Sequence, residues 1–100
     1  MATHEVKIWP RYFDDVATGR MTHNLRKNDR GYRNGDRIVM REWRPADGQY
    51  TGRECVADIT HVLQRGLAPS ERSPTSLGLS PGYAILSLKL LATTANSVSR

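Results

Sequence analysis

A polar segment between Gly19 and Arg30 carries the residue types most suited to chemistry in this chain. It reads Gly-Arg-Met-Thr-His-Asn-Leu-Arg-Lys-Asn-Asp-Arg and combines cationic, amide and hydroxyl groups. Because successive side chains of a β-strand point to opposite faces, a strand here would gather four polar side chains on one face. These are Thr22, Asn24, Arg26 and Asn28. Such a face is better suited to a ligand than to a core.

Positive charge is concentrated around this segment. The chain carries 15 Lys and Arg against 10 Asp and Glu, for a net charge of +5. The whole excess of positive charge lies in residues 20 to 44, which contain eight cations and three acids. The acids are Asp29, Asp36 and Glu42. The cations are Arg20, Arg26, Lys27, Arg30, Arg33, Arg37, Arg41 and Arg44. Arginine dominates, and its planar guanidinium binds phosphate oxygens in pairs and stacks on bases. An anionic partner is therefore expected, although a basic surface that only promotes solubility has the same composition.

A nucleic-acid or nucleotide ligand would need phosphate contacts and polar contacts to its bases or sugars. The candidates for phosphate are Arg20, Arg26, Lys27 and Arg30. The candidates for a base edge or a 2′-hydroxyl are Thr22, Asn24 and Asn28. Exposed aromatic rings would stack on unpaired bases, as in many proteins that hold single-stranded RNA. The stacking candidates are Trp9, Tyr32 and Trp43, although a core position suits both tryptophans as well, whereas Tyr12 and Phe13 are expected in the core.

Length and composition favour one small protein of the cytoplasm. One hundred residues make a single domain with a modest core. No apolar run approaches the roughly 20 residues needed to cross a bilayer, and the N-terminus lacks the apolar segment of a signal peptide. The lone Cys55 fits a reducing compartment and is expected to be a small buried hydrophobe. No metal-ligand spacing is present, so neither metal nor cofactor is expected.

Hydrophobic periodicity predicts five strands and one helix. Alternation predicts a first strand over 4–9, and Pro10 then opens a helix over 11–18 that ends at Gly19. Further strands are predicted at 21–28, 37–43, 53–63 and 83–91, with a turn at 45–48. The Ser/Pro/Gly-rich stretch at 65–81 predicts a long loop, and 92–100 a polar tail.

These elements favour an α+β fold that is mostly β. One early helix without regular strand-helix alternation argues against a doubly wound sheet. A small mixed or antiparallel barrel of about five strands, with one short helix after the first strand, accounts for the pattern better. The prediction is one domain over residues 1–91.

The order of several motifs resembles the small ASCH-type domains of phages and bacteria, many of which have no known function. The similarity covers about residues 3 to 90. The motifs are Thr3-His4-Glu5-Val6-Lys7-Ile8, Tyr12-Phe13 with Val16, Gly19-Arg20-Met21-Thr22, Leu25-Arg26-Lys27-Asn28-Asp29-Arg30, Gly35-Asp36, Glu42-Trp43, Tyr50-Thr51-Gly52-Arg53 and Gly82-Tyr83. The resemblance implies a PUA-like β-barrel with a cleft, between the first helix and the barrel, that accepts RNA or a nucleoside. The turn after the helix and the polar strand behind it would line that cleft.

Two positions depart from the pattern of these relatives. Met21 stands where they commonly have Lys, and Asn24 stands where they commonly have Glu or Thr. Some relatives resemble amidohydrolases that deacylate modified cytidine with a Lys, a Thr and a Glu. Met21 cannot exchange a proton or stabilise an anion by charge, and Asn24 is a poor base or nucleophile. The sequence therefore predicts a binder without amidohydrolase activity.

Other functions stay open. A ribonuclease would need two acid–base groups beside a phosphate, and the weak candidates are His23 and His4, with His61 a third histidine. Glu42 and Glu54 are possible acids, but surface pairing with neighbouring arginines explains both. A phage-type protein of this kind could also modulate a host protein through its arginine-rich face. Sequence predicts no membrane partner and leaves the oligomeric state open.

Overall fold

The computed structural model describes residues 1–64 and 82–94. It contains five strands and one short helix after the first strand. The elements are β1 (Thr3–Ile8), α1 (Pro10–Ala17), β2 (His23–Lys27), β3 (Arg37–Arg44), β4 (Gln49–Gln64) and β5 (Tyr83–Thr94). The predicted loop at 65–81 and the end of the predicted tail, 95–100, lie outside the described residues.

All five strands form one mixed sheet in the order β1-β3-β4-β5-β2. β1 pairs with β3 in parallel, and the other neighbours are antiparallel. The sheet curls into a half-barrel, so the mostly β prediction with an early helix is confirmed. The two edge strands, β1 and β2, are consecutive in the chain and are joined by α1. The N-terminal quarter of the chain therefore supplies both edges of the sheet.

Two bulged strands allow the sheet to curl. The register of β3 with β4 shifts between Arg41 and Trp43, and that of β4 with β5 shifts twice along β4. A bulge bends its strand and increases the local twist. Pairing with the long β4 also carries β5 to Thr94, so the prediction of a tail from residue 92 is wrong over its first three positions, where Glu54 pairs with Thr94 and Val56 with Ala92.

Inward-facing apolar side chains from the sheet and α1 form one core. Ile38, Met40 and Ile59 are fully buried at its centre, and Phe13 and Val16 of α1 pack against them. Cys55 is also fully buried, as predicted, and burial raises the pKa of its thiol.

The helix α1 begins at Pro10, directly after Trp9. Proline suits a first helical turn because it has no N–H group that would need a hydrogen-bond acceptor there. The helix ends at Ala17, and Gly19, whose φ of 77° favours glycine, follows the capping residue Thr18. Over residues 1–64 and 82–94, no helix has the length and apolarity to cross a bilayer.

Asp36 ties the start of β3 to the start of β1. Its carboxylate accepts hydrogen bonds from the Ala2 and Arg33 amides at 3.0 and 3.1 Å and pairs with His4 Nε2 at 2.9 Å. These bonds, the one from Ala2 foremost, lower the pKa of Asp36 from 3.8 to about 2. Asp36 therefore anchors the loop that precedes β3. His4 consequently pins the first strand, with its ring edge-on to Tyr32 at 4.8 Å.

A second polar cluster joins α1 to the sheet. Glu42 is only 2% exposed, and its carboxylate accepts hydrogen bonds from Arg53 Nε at 2.7 Å, Arg53 Nη2 at 2.8 Å and Thr51 Oγ1 at 2.6 Å. Arg53 in turn donates to Asp14 of α1 at 3.2 Å and lies over the Phe13 ring. The hydrogen bond from Arg53 lowers the pKa of Glu42. The pairing of Glu42 with an arginine was predicted, but its placement at the surface was wrong, because the side chain points inward from β3.

We expect Asp36→Asn to flatten the acid dependence of stability. The folded-state pKa of Asp36 lies below its ordinary value, so the carboxylate stabilises the fold fully above about pH 4 and loses this contribution as the pH falls toward 2. Urea unfolding from pH 7 to pH 2 measures the effect. Asp47→Asn, in an exposed turn, is the matched control. Equal acid profiles for the parent and Asp36→Asn would contradict the role of Asp36.

We expect Arg53→Ala to lower the free energy of unfolding by about 2–4 kcal/mol, because Glu42 would stay buried without its cation. Arg44→Ala removes an exposed arginine paired with Asp47 and should cost about 1 kcal/mol or less. Urea denaturation compares the two variants. The double variant Glu42→Gln, Arg53→Ala should recover part of the loss. Similar costs for Arg53→Ala and Arg44→Ala would show that the buried pair is not a main tether.

Candidate functional site

An open cleft of about 620 Å³ lies between the two edge strands of the half-barrel. One wall comes from the end of β1 and the start of α1, the other from β2 and the residues after it, with Tyr83 of β5. The lining residues are Lys7, Ile8, Trp9, Tyr12, Met21, His23, Asn24, Leu25, Arg26, Lys27, Asp29, Arg30, Tyr32 and Tyr83. The cleft therefore lies beside the first helix, with the predicted polar segment forming much of one wall.

Cations outnumber acids along this lining. Lys7, Arg26, Lys27 and Arg30 carry positive charge, and Asp29 is the one acid among the lining residues. Lys7 comes from β1 and the other three from β2 and the turn that follows it. The excess of positive charge along the lining favours an anionic ligand.

Arg26 spans the gap between the edge strands, and two hydrogen bonds hold its guanidinium in place. Its Nη1 donates to the Lys7 carbonyl oxygen at 3.2 Å and to Asn24 Oδ1 at 3.1 Å. Because a guanidinium only donates, the amide oxygen of Asn24 must face Arg26, and its NH₂ group faces elsewhere. Asn24 is 6% exposed, and its NH₂ group finds no acceptor among residues 1–64 and 82–94. That group is a hydrogen-bond donor at the wall of the cleft.

Trp9 is the aromatic residue best placed for stacking. It precedes α1, is 51% exposed and lines the cleft. Tyr12 and Tyr83 also line the cleft and are partly exposed. The expectation that Tyr12 belongs to the core is therefore wrong, whereas Phe13 is buried as expected. An eight-residue helix has room for only a narrow buried stripe, and Phe13 and Val16 fill it.

The other two stacking candidates are placed differently. Tyr32 is 4% exposed, so the prediction that its ring is exposed is wrong. The Tyr32 backbone amide donates to Asn28 Oδ1 at 3.0 Å, and the ring lies in the core beside His4. Trp43 does not line the cleft. It lies on the outer face of the sheet, with Lys7 Nζ 3.9 Å from its ring centroid and Tyr50 edge-on.

The structure brings Asn24, Arg26, Lys27 and Arg30 to the cleft but not the other three polar candidates. Arg20 is 79% exposed and approaches Asp15 at 3.7 Å. Thr22 precedes β2, where its carbonyl oxygen accepts the Leu88 amide. Asn28 donates to Gln64 at 2.7 Å and accepts from Tyr32, which gives it a structural role. The expectation of one continuous polar face therefore fails, because β2 is only five residues long.

The candidate acid–base residues do not meet in one place. His23 lines the cleft, whereas His4 is bound to Asp36 and is absent from the lining. The Glu42 carboxylate already accepts hydrogen bonds from Arg53 and Thr51. Glu54 Oε2 lies 3.7 Å from Arg41 Nε on the outer face of the sheet. Within the part of the chain that the structure describes, no three His, Cys, Asp or Glu side chains gather as a metal site would require.

Sequence reasoning missed Lys7, Tyr12 and Tyr83 as lining residues. Lys7 occupies an outward position of an alternating strand, which usually indicates an ordinary solvated side chain. Only the curl of the sheet brings it opposite β2. Met21 lines the cleft and is partly buried against the core, so it fills space between the two.

Comparison with known proteins places the chain in a family. It is similar to the uncharacterized 12.9 kDa protein in the GpA 3′ region of Escherichia phage P2, with 44% identity over 59 residues. That stretch is 59% of this chain and 52% of the relative, so the chain spans about half the length of the curated relative it matches. A family model described as a domain of unknown function (DUF3850) matches residues 3–88. Because this match covers most of the chain, the protein belongs to the DUF3850 family.

Proposed function

We propose that this protein binds single-stranded RNA or a nucleotide in the cleft between β1 and β2, without amidohydrolase chemistry. The observation that carries the proposal is a cleft whose lining contains four cationic residues against one acid, with an exposed tryptophan among the lining residues. Phosphate contacts and base stacking are the two interactions that hold single-stranded nucleic acids without a fixed sequence. The cleft supplies residues suited to both.

The resemblance to ASCH-type domains adds weight to this proposal. In those domains the ligand cleft is expected between the first helix and a PUA-like barrel. Here the cleft lies beside α1, and the retained polar segment forms a wall of it. We therefore propose that this family member is a variant of the ASCH frame and that its cleft corresponds to the expected ligand site.

The geometry of Arg26 suits phosphate binding. Its hydrogen bonds to the Lys7 carbonyl oxygen and to Asn24 fix the guanidinium before any ligand arrives, so less side-chain entropy is lost on binding. Both partners are neutral, so the positive charge of Arg26 is not cancelled. Lys27 and Arg30 on the same wall would add further phosphate contacts.

The volume and the remaining groups fit one nucleotide unit. A cleft of about 620 Å³ lies within the range of small-molecule sites. Trp9 offers a stacking surface, and the NH₂ group of Asn24 offers a donor to a carbonyl or ring nitrogen of a base. In the proposed complex, the base stacks on Trp9 while Arg26 holds the phosphate.

We do not extend the proposal to catalysis. Met21 and Asn24 lack the proton chemistry that deacylation needs. Metal-free RNA cleavage needs two acid–base groups at one phosphate, and His23 lines the cleft without His4. His23 is then a further hydrogen-bonding group of the binding surface.

We expect Arg26→Ala to weaken binding of a labelled single-stranded RNA by about tenfold, because one preorganised phosphate contact is lost. Arg20→Ala is the matched control: it removes the same charge from the same segment but outside the cleft, and should change affinity less than about twofold. Trp9→Ala should weaken binding by about fivefold or more through lost stacking. Fluorescence anisotropy at low salt measures all three variants.

Salt dependence separates this proposal from binding of a host protein. The affinity for RNA should fall linearly with salt on a double-logarithmic plot, with a slope set by the number of phosphates neutralised. Arg26→Ala should make that slope shallower by about one phosphate. No binding of any single-stranded RNA at low salt, or equal losses for Arg26→Ala and Arg20→Ala, would overturn the proposed site.

We expect Met21→Lys to fold, with a loss of about 1 kcal/mol or less in the free energy of unfolding. Met21 packs only partly against the core, so the methylene chain of a lysine can cover the same surface and extend its ammonium group into the cleft. Urea unfolding measures the loss, and Met21→Ala is the control for lost packing. An unfolded Met21→Lys protein would show that Met21 is a core residue and that the alignment of this turn with ASCH domains is wrong.

A further inference from the structure

A second hollow, of about 290 Å³, adjoins the cleft on the outer face of the sheet. It lies over β1, β3 and β4, where Glu5 and Lys7 alternate with the buried Val6 and Ile8. Arg41 and Tyr50 form its far side. The function proposed for the first cleft makes no use of this hollow.

The two hollows are parts of one groove. Lys7, Arg26 and Arg30 line both of them. Arg26 lies at their boundary, because its bond to the Lys7 carbonyl oxygen crosses from β2 to β1. A strand rises by about 3.3 Å per residue, so the two steps of β1 from Lys7, which both hollows share, to Glu5 extend the groove by about 7 Å. A ligand on Arg26 can therefore contact both hollows.

The second hollow repeats the combination of cation and aromatic ring found in the first. The Arg41 guanidinium lies 4.0 Å from the Tyr50 ring centroid, and Tyr50 meets Trp43 edge-on at 4.8 Å. Lys7 Nζ lies over Trp43 on the same face. These contacts order the side chains before a ligand binds. A stacking ring and a phosphate contact are thus available a second time.

Two acidic side chains lie near Arg41, but neither is within hydrogen-bond distance of its guanidinium. Glu5 Oε1 is 4.0 Å from Nη1 and Glu54 Oε2 is 3.7 Å from Nε, and both distances exceed a hydrogen bond. Arg41 is half-exposed and keeps its N–H groups for another acceptor. Glu5 is the one acid that lines the second hollow, so it should oppose a phosphate there.

We propose that the ligand is a single-stranded polynucleotide of several units that runs from Trp9 over Arg26 to Arg41 and Tyr50, and not a free mononucleotide. This inference rests on the function proposed for the first cleft. Repetition of cation and ring along one groove suits a polymer in which phosphate and base also repeat. A mononucleotide would occupy the first hollow and leave the second without a role.

Binding as a function of chain length tests the inference. Labelled diuridylate and octauridylate are titrated with the parent and variant proteins by fluorescence anisotropy at low salt, and octathymidylate tests the need for the 2′-hydroxyl. We expect octauridylate to bind at least about tenfold more tightly than diuridylate. Arg41→Ala and Tyr50→Ala should each weaken octauridylate binding by about fivefold and leave diuridylate within about twofold, whereas Arg26→Ala should weaken both.

Two variants keep this test independent of folding defects. Arg44→Ala removes an equally charged, half-exposed residue of β3 that lines neither hollow, and should leave octauridylate binding within about twofold. Glu5→Gln should tighten octauridylate binding by about twofold or more, a gain that misfolding cannot produce. Circular dichroism checks that each variant is folded.

The outcomes separate this inference from the function on which it rests. Equal affinity for diuridylate and octauridylate, or tighter octamer binding that Arg41→Ala, Tyr50→Ala and Glu5→Gln leave unchanged, would overturn the extended groove and keep the first site. Failure of both oligonucleotides to bind would overturn the first site as well. Competition by polyglutamate as effective as that by octauridylate would show a surface that recognises acidic polypeptides, against the polynucleotide proposal.

Discussion

The curl of the five-stranded sheet is the constraint on which the rest of this structure depends. A flat sheet in the order β1-β3-β4-β5-β2 would hold its two edge strands at opposite ends, with three strands between them. The register shifts along β4 and β5 increase the twist, so the sheet wraps around a small core and the edges come close enough for Arg26 to reach Lys7. The cleft is the space that this incomplete closure leaves.

Polar tethers hold the edges at this spacing. Asp36 fixes the start of β1 to β3, and Arg53 joins buried Glu42 to Asp14 of the helix between the edges. A core of this size offers limited apolar burial, so charged hydrogen bonds at its rim contribute to its shape as well as its stability. These acids pair with His4 and Arg53, which do not line the cleft, so they leave the charge of the lining cations unchanged.

Local patterns predicted the elements well and the site only in part. Pro10, Gly19 and the alternation of Val6 with Ile8 act over a few residues, so the helix and the strands could be derived from them. The cleft joins residues that are distant in sequence, such as Lys7 and Tyr83, and depends on the curl, which no local pattern encodes. Tyr32 was misplaced for the same reason, because its burial depends on the long-range contact with His4.

Asn24 is physically connected to the charge of the cleft. A glutamate at this position would pair with Arg26 and cancel its charge. The amide of Asn24 holds the guanidinium by the same hydrogen bond at 3.1 Å but leaves the positive charge for a ligand. Under the proposed function, Asn24 therefore holds a cation between the two edge strands without supplying a group that exchanges protons.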